Sequence, residues 1–326
     1  MSAREKVLEI LEKNRGTYIS GEYLAQAAQV SRTAVWKAVT ALRADGYEIR
    51  GITRLGYALA SDTDRLTAAG IGACLSPALR EKISIVSFET LDSTNNEAKR
   101  RLAAGGLEPE QVLLITGEEQ TAGRGRMGRS FYSPRGTGIY MSFVFASSTS
   151  LSDAVGITGA AAVAVVRAVR RIAGKEAQIK WVNDVFLDGK KICGILTEAM
   201  TSLESGRTQQ IVVGIGINCS TVDFPGEIAA VAGSLAGEDV RRCALCAAVT
   251  EELYDFTRHL SCRPWMEEYR AHSLVLGKEV LCIQGARSFS AVAEEIDDAG
   301  GLVVRCPDGT RQVLCSGEVS VRLASC

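Results

Sequence analysis

Residues 120–135 read QTAGRGRMGRSFYSPR, a run of glycine and arginine set between two apolar stretches, VLLITG before it and GIYMSFVF after. Gly123, Gly125 and Gly128 alternate with Arg124, Arg126 and Arg129, and no acid stands between Gln120 and Tyr140. Glycine allows positive φ and lets backbone approach an anion closely. Arginine presents fixed forks to phosphate or carboxylate oxygens. With strands on both sides, the segment reads as a loop at a sheet edge, mobile when empty and ordered over an anionic ligand. It is not a P-loop, since G-x-x-x-x-G-K-[ST] is absent, nor is it read as a Rossmann fingerprint. The other reading, an arginine-rich RNA-binding loop, would need aromatic stacking partners interleaved through it.

The rest of the chain sets the context for that loop. At 326 residues two or three domains are expected, and 46% hydrophobic with 23% charged residues describes a soluble globular protein. The net charge is −1, so any nucleic-acid surface must be local. The start, MSAREKVLEI, has no apolar signal core, and no stretch reaches the ~20 apolar residues of a membrane span. The ten cysteines are scattered, which predicts reduced thiols and a cytoplasmic location. Cys243 and Cys246 form the single C-x-x-C, inside a helical pattern and without a second pair or a nearby histidine, so no structural metal is expected. Two histidines in the whole chain make a histidine-based catalytic dyad a poor reading.

Residues 1–62 predict three short helices and a hairpin, the pattern of a winged helix-turn-helix. Val7, Leu8 and Leu11 recur at helical spacing, Ser20 and Ser31 open the second and third helices, and Gly46 ends the third. The helix-turn-helix spans about residues 21–40. Ser31, Arg32, Thr33, Trp36 and Lys37 then lie at the start of the third helix, facing a major groove, with Arg50 and Arg54 on the wing. Residues 1–60 hold nine Lys/Arg against six Asp/Glu, a local excess of three positive charges. A winged helix serving only protein contacts is the alternative. Residues 62–67 read as a linker. Residues 68–270 alternate strands and helices, with a long Ala/Val helix at 153–173 and helical sequence at 240–270, an α+β domain around one mixed sheet. Residues 273–326 show short strands broken by turns, a small β-barrel.

Five further blocks accompany the loop. D-S-T-N lies at 92–95, K-W-V-N-D at 180–184, K-I-C-G-I-L-T-E at 191–198, V-G-I-G-I-N at 213–218 and C-S-G-E-V-S at 315–320. With T-G-E-E-Q-T-A-G-R-G-R-M-G-R, they resemble the blocks of biotin–protein ligases, in family order across nearly the whole chain. The N-terminal S-G-E-Y-L-A…S-R-T-A-V-W-K resembles the DNA-binding domain of the bifunctional ligase and biotin operon repressor subgroup. Three positions depart from the family pattern. Met127 stands where a third basic residue is usual, Phe131 where tryptophan is usual, and Val182 where proline is usual.

The resemblance implies a class II synthetase-like ligase domain followed by an SH3-like barrel. It also implies a two-step reaction: biotin's carboxylate attacks the α-phosphate of ATP, and a lysine of a biotin carboxyl carrier domain then attacks the acyl carbon of biotinyl-AMP. Both partners of the first step are anionic, so positive charge is needed where they meet. Lys180 and Arg126 are the expected catalytic residues. Ser93, Thr94, Asn95, Gln120, Arg124, Gly125, Arg126, Lys180 and Gly194 are expected around biotin. Arg126, Arg129, Lys180, Asn183, Lys191 and Asn218 are expected around ATP, whose phosphates Mg²⁺ bridges. Asn218 and the segment to about residue 234 would shape the adenine side. Gly214 and Gly216 are expected to keep their strand slim against the ligand, with close packing an equal alternative. The subgroup further implies a homodimer, promoted by biotinyl-AMP, on palindromic operator DNA. A sensing repressor without catalysis, and a lipoate ligase or octanoyl transferase on a related fold, are the competing functions.

Overall fold

The structure is a computed structural model that describes residues 2–60, 64–105, 107–108, 111–147, 151–201, 208–235, 240–284, 287–315 and 319–323. Asp62 and Thr63 of the expected linker, and Ser316, Gly317 and Glu318 of the C-S-G-E-V-S block, lie outside the described residues.

The first three helices are α1 (Ala3–Lys13), α2 (Gly21–Ala28) and α3 (Arg32–Ala44), followed by the antiparallel pair β1 (Ile49–Ile52) and β2 (Gly56–Leu59). Serine side chains start all three helices by accepting a backbone N–H that helical bonding leaves unpaired. Ser2 caps α1 in a full capping box with Glu5, Ser20 accepts from Tyr23 at 3.1 Å, and Ser31 accepts from Ala34 at 3.1 Å. The tight turn between α2 and α3 passes through Gln29, whose φ is 55°. Val7, Leu11, Leu24, Val35, Leu42 and Leu59 close a separate small core beneath the three helices.

Two short helices, α4 (Ala68–Cys74) and α5 (Pro77–Arg80), lead into the central domain. Its elements are β3 (Ile83–Phe88), α6 (Thr94–Gly105), β4 (Val112–Gly117), β5 (Gly138–Ala146), α7 (Leu151–Ala173), β6 (Gln178–Lys180), β7 (Asp184–Leu187), β8 (Lys190–Thr201), β9 (Thr208–Asn218), α8 (Gly226–Ala229), α9 (Arg242–Thr257) and α10 (Met266–Ala271). The seven strands run in the order β3-β4-β5-β9-β8-β7-β6, parallel only between β3 and β4.

Period-two alternation divides the two faces of this sheet. Ile211, Val213, Ile215 and Ile217 of β9 join Phe143 of β5 in the core beneath α7 and α9. Val212, Val144, Leu113 and Ile115 pack instead with Ala98 and Leu102 of α6 on the opposite face. On that second face β9 continues as Gly214, Gly216 and Asn218, so the strand loses its side chains where α6 begins. The Trp181–Val182 peptide between β6 and β7 is cis.

The helical stretch expected across 240–270 is two helices. Arg263, with φ 46°, and Pro264 stand between α9 and α10, since the residue before a proline disfavours the α region and the proline lacks a donor. The last strands are β10 (Glu279–Gln284), β11 (Arg287–Ile296), β12 (Leu302–Arg305), β13 (Arg311–Leu314) and β14 (Val319–Leu323). They form one antiparallel sheet in the order β13-β12-β11-β10-β14. No pairing joins β13 to β14 among the described residues, so the expected small barrel stands here as an SH3-like sheet rather than a closed ring. Val280, Ile296 and Leu302 of this sheet belong to the same core cluster as the central sheet. No described helix is long and apolar enough to cross a membrane.

Candidate active site

Twelve of the thirteen residues expected around biotin and ATP converge on one space. A cavity of ≈ 210 Å³ opens on the α6 face of the sheet, lined by Ser93, Thr94, Asn95, Gln120, Arg124, Gly125, Arg126, Arg129, Lys180, Asn183, Lys191 and Gly194 among others. Asn218 is the exception: it does not line the cavity.

The wall toward α6 is neutral and polar. Ser93, Thr94 and Asn95 are buried at the start of α6. Gln120 ties them to the loop, its Oε1 accepting from Thr94 N at 2.9 Å and its Nε2 donating to Ser133 Oγ at 2.9 Å. Asn95 is oriented by three neighbours. Its Nδ2 donates to Glu198 Oε2 at 2.9 Å and to the Leu196 carbonyl at 3.3 Å, and its Oδ1 accepts from Ser142 Oγ at 2.6 Å. Burial tends to raise the Glu198 carboxyl, but Lys99 at 2.6 Å and Asn95 hold it below its ordinary value. A set of donors and acceptors that stays neutral suits a ureido ring. Neither Glu198 nor Ser142 was anticipated from sequence.

The floor is made by absent side chains. A Cβ on Gly214 would lie 2.2 Å from Asn95 Oδ1, and one on Gly216 would lie 2.4 Å from the Phe131 ring. Phe131 lies over both Gly216 and Gly194 and meets Tyr140 edge-on with centroids 6.5 Å apart.

The far wall carries the positive charge. Lys180 ends β6 with its Nζ 5.4 Å from the Phe186 ring centroid. Lys191 Nζ pairs with Asp184 Oδ1 at 2.7 Å. Arg126 reaches in from the loop and donates to Asn183 Oδ1 at 2.9 Å. Burial lowers the Arg126 pKa from its ordinary value, an effect the nearby Asp184 partly offsets. Arg124 donates to Asn96 Oδ1 at 3.0 Å and stands 3.5 Å from Glu198. The loop turns through Met127 at φ 55° and Gly128 at φ 74°. Gly123, Gly125 and Gly128 do match the letters G-x-G-x-x-G, but the segment passes through a single 3₁₀ turn toward β5 and opens no α-helix, so it is not a dinucleotide fingerprint.

Asn218 ends β9 on the same face and is buried; its Nδ2 donates to the Gly233 carbonyl at 2.9 Å. Residues 231–233 run beside Lys191 through backbone bonds of 2.8 and 2.9 Å. None of residues 219–234, the segment expected on the adenine side, lines the cavity. Among the described residues no cluster of three His, Cys, Asp or Glu could hold a metal ion.

The second expected surface is on the first three helices. Ser31, Arg32, Thr33, Trp36, Lys37 and Arg54 are all exposed, Trp36 at 59% and Arg54 at the tip of the wing with φ 72°. Arg50, also on the wing, pairs with Glu48 at 3.1 Å.

Known proteins carry the same organisation. The biotin/lipoate A/B protein ligase family model matches residues 87–218, an HTH domain model matches residues 3–58, and a biotin protein ligase C-terminal domain model matches residues 275–322. The chain is 32% identical over 319 residues to the bifunctional ligase/repressor BirA of Bacillus subtilis, covering 95% of this chain and 96% of that protein. It is 27% identical to the bifunctional ligase/repressor BirA of Escherichia coli, covering 95% and 94% of the two chains. The solved biotin protein ligase from Aquifex aeolicus in complex with biotin and ATP superposes with a TM-score of 0.62 at 26% identity, over 74% of this chain and 99% of that one. The chain belongs to the biotin/lipoate A/B protein ligase family, in its bifunctional ligase/repressor branch.

Proposed function

We propose that this chain activates biotin with Mg·ATP, transfers it to a lysine of a biotin carboxyl carrier domain, and represses transcription while biotinyl-AMP is bound. The observation that carries the reading is the cavity itself. It joins a neutral polar wall, a glycine floor and a cationic far wall, drawn from separate stretches of sequence. Residues 1–62 serve as the DNA-binding domain, 68–270 as the ligase domain and 273–326 as the C-terminal domain.

In the first step an oxygen of biotin's carboxylate forms a bond to the α-phosphorus, and the bond from phosphorus to pyrophosphate breaks. Lys180 and Arg126 neutralise the two anions where they meet, a service worth several kcal/mol in a water-poor site. Arg129, Lys191 and Asn183 hold the remaining phosphate oxygens, and Mg²⁺ arrives with the nucleotide as part of the substrate. Ser93, Thr94, Asn95 and Gln120 hold the ureido ring, while Arg124, Gly125 and Gly194 line the path of the valeryl chain. In the second step the acceptor amine bonds to the acyl carbon, AMP leaves, and the amine's proton passes to solvent. Positioning supplies much of that second step.

Homodimerisation with biotinyl-AMP bound, and a palindromic operator, complete the reading. The test is incubation with biotin, Mg·ATP and a carboxyl carrier domain, followed by mass analysis of the carrier. Addition of one biotinyl group, lowered by about 10²-fold or more in Lys180→Ala, is expected for loss of a group that stabilises transition-state charge. Biotin binding without transfer would leave only the sensing repressor, and absence of biotin binding would overturn the assignment.

A further inference from the structure

Arg242 opens α9 and is buried, where a cation needs partners on every side. Its Nε donates to Asp64 Oδ2 at 2.8 Å, and its Nη1 donates to Glu118 Oε2 at 2.9 Å and to the Gly138 carbonyl at 3.1 Å. Its Nη2 donates to the Asp64 carbonyl, and its backbone N–H to Asp64 Oδ1 at 3.0 Å. Glu118 directly follows β4 and Gly138 begins β5. One guanidinium therefore holds both ends of the segment that contains the glycine–arginine loop. Glu118 also accepts from the Leu66 N–H, and its carbonyl accepts from Gly136 N at 3.1 Å, closing the base of the loop.

A second bridge runs alongside. Arg65 donates to the Asp45 carbonyl at the end of α3 and lies 5.2 Å from the centroid of the Tyr47 ring, both within the winged helix. Its other arm pairs with Glu89, which accepts from Arg135 at 3.0 Å. Arg135 closes the glycine–arginine run. Residues 64–66 thus touch the winged helix through Arg65 and the start of the loop through Leu66 and Glu118, and reach its far end through Glu89 and Arg242. None of these partners lines the cavity.

We propose that Arg242 and Glu118, with Asp64, Arg65 and Glu89, form a positioning strap that makes the state of the ligand loop and the seating of the winged helix one equilibrium. The proposal rests on the ligase/repressor reading. A ligand that orders the loop fixes Glu118 and Arg135, and with them the partners left for Asp64 and Arg65. By linkage, whatever seats the winged helix must then favour the ordered loop by the same factor.

Removing Arg242 or Glu118 would strand a buried charge and endanger the fold, so the test uses two less buried members of the strap, Glu89 and Asp64. Full-length Glu89→Ala and Asp64→Asn are compared with wild type in carrier biotinylation. They are also compared in binding to a DNA duplex selected from random sequence on wild-type protein saturated with biotin and Mg·ATP. The KM for biotin is expected to rise about fivefold, and the ligand-induced gain in duplex affinity to fall about fivefold, the lower end of usual coupling. The kcat should stay within about twofold, as for loss of binding common to ground and transition states. Glu89→Asp should restore both values. If both variants melt normally and leave KM and the affinity gain unchanged, the strap is overturned. A wild type that selects no duplex, or binds it equally without ligand, overturns the repressor reading, and the KM shift alone then decides the strap.

Discussion

Gly214 faces the cavity opposite Asn95, whose amide is committed to Ser142, Glu198 and the Leu196 carbonyl. A methyl group there displaces a side chain that cannot move without breaking buried hydrogen bonds, each worth about 1–3 kcal/mol when left unmade. Gly214→Ala is therefore expected to raise the KM for biotin by about tenfold or more, tenfold being 1.4 kcal/mol. It should also lower stability by about 1–3 kcal/mol, as overpacking of a filled site does. Steady-state kinetics and a thermal melt check the two parts. At this scale the sequence was informative where chemistry is local. Glycine, arginine and lysine in short blocks marked the cavity because few other roles demand them. It was silent where partners are distant. Asn95 and Glu198 meet across 103 positions, and Glu118 meets Arg242 across 124, so these charges read in sequence as ordinary surface residues. Asn218, expected near ATP, lies outside the cavity lining and donates its Nδ2 to the Gly233 carbonyl.

Helix α3 was legible almost to the residue, because a serine cap and a following Gly46 mark its ends and apolar positions at helical spacing mark its inner face. Its outer face leaves Arg32, Thr33, Trp36 and Lys37 exposed. Lys37→Ala is expected to weaken duplex binding evenly across sequences and to reduce the salt slope of log affinity by about 1, as loss of one phosphate contact does. Biotin transfer by the same variant should match wild type, which a filter-binding titration in salt and a transfer assay together check. The break between α9 and α10 could have been read from Pro264. The burial of most of α9 masked it, since a helix buried on many sides shows no continuous polar face whose end can be seen.

Across the whole molecule the cysteines divide by position. Cys193, Cys219, Cys243, Cys246 and Cys282 are buried. Burial pushes the Cys219 and Cys243 thiols up to about 12 and that of Cys282 up to about 11. Since the thiolate is the reacting form, native alkylation at pH 8 should modify exposed Cys262 and Cys315 first. The five buried thiols should react only on unfolding, as peptide mass mapping over time can show. Cys243 spends its hydrogen on the Arg65 carbonyl at 3.1 Å and Cys246 lies against Met141, so the C-x-x-C pair serves packing at the junction of α9 with residues 64–66. That junction bears on how such proteins can be recombined. The winged helix has its own core and looks detachable, yet the ligase relies on backbone and side-chain groups of residues 64–66 to neutralise Arg242 and complete Glu118. A DNA-binding module transplanted from a relative should therefore work only if these three residues travel with the recipient ligase, which places the seam for grafting upstream of Asp64.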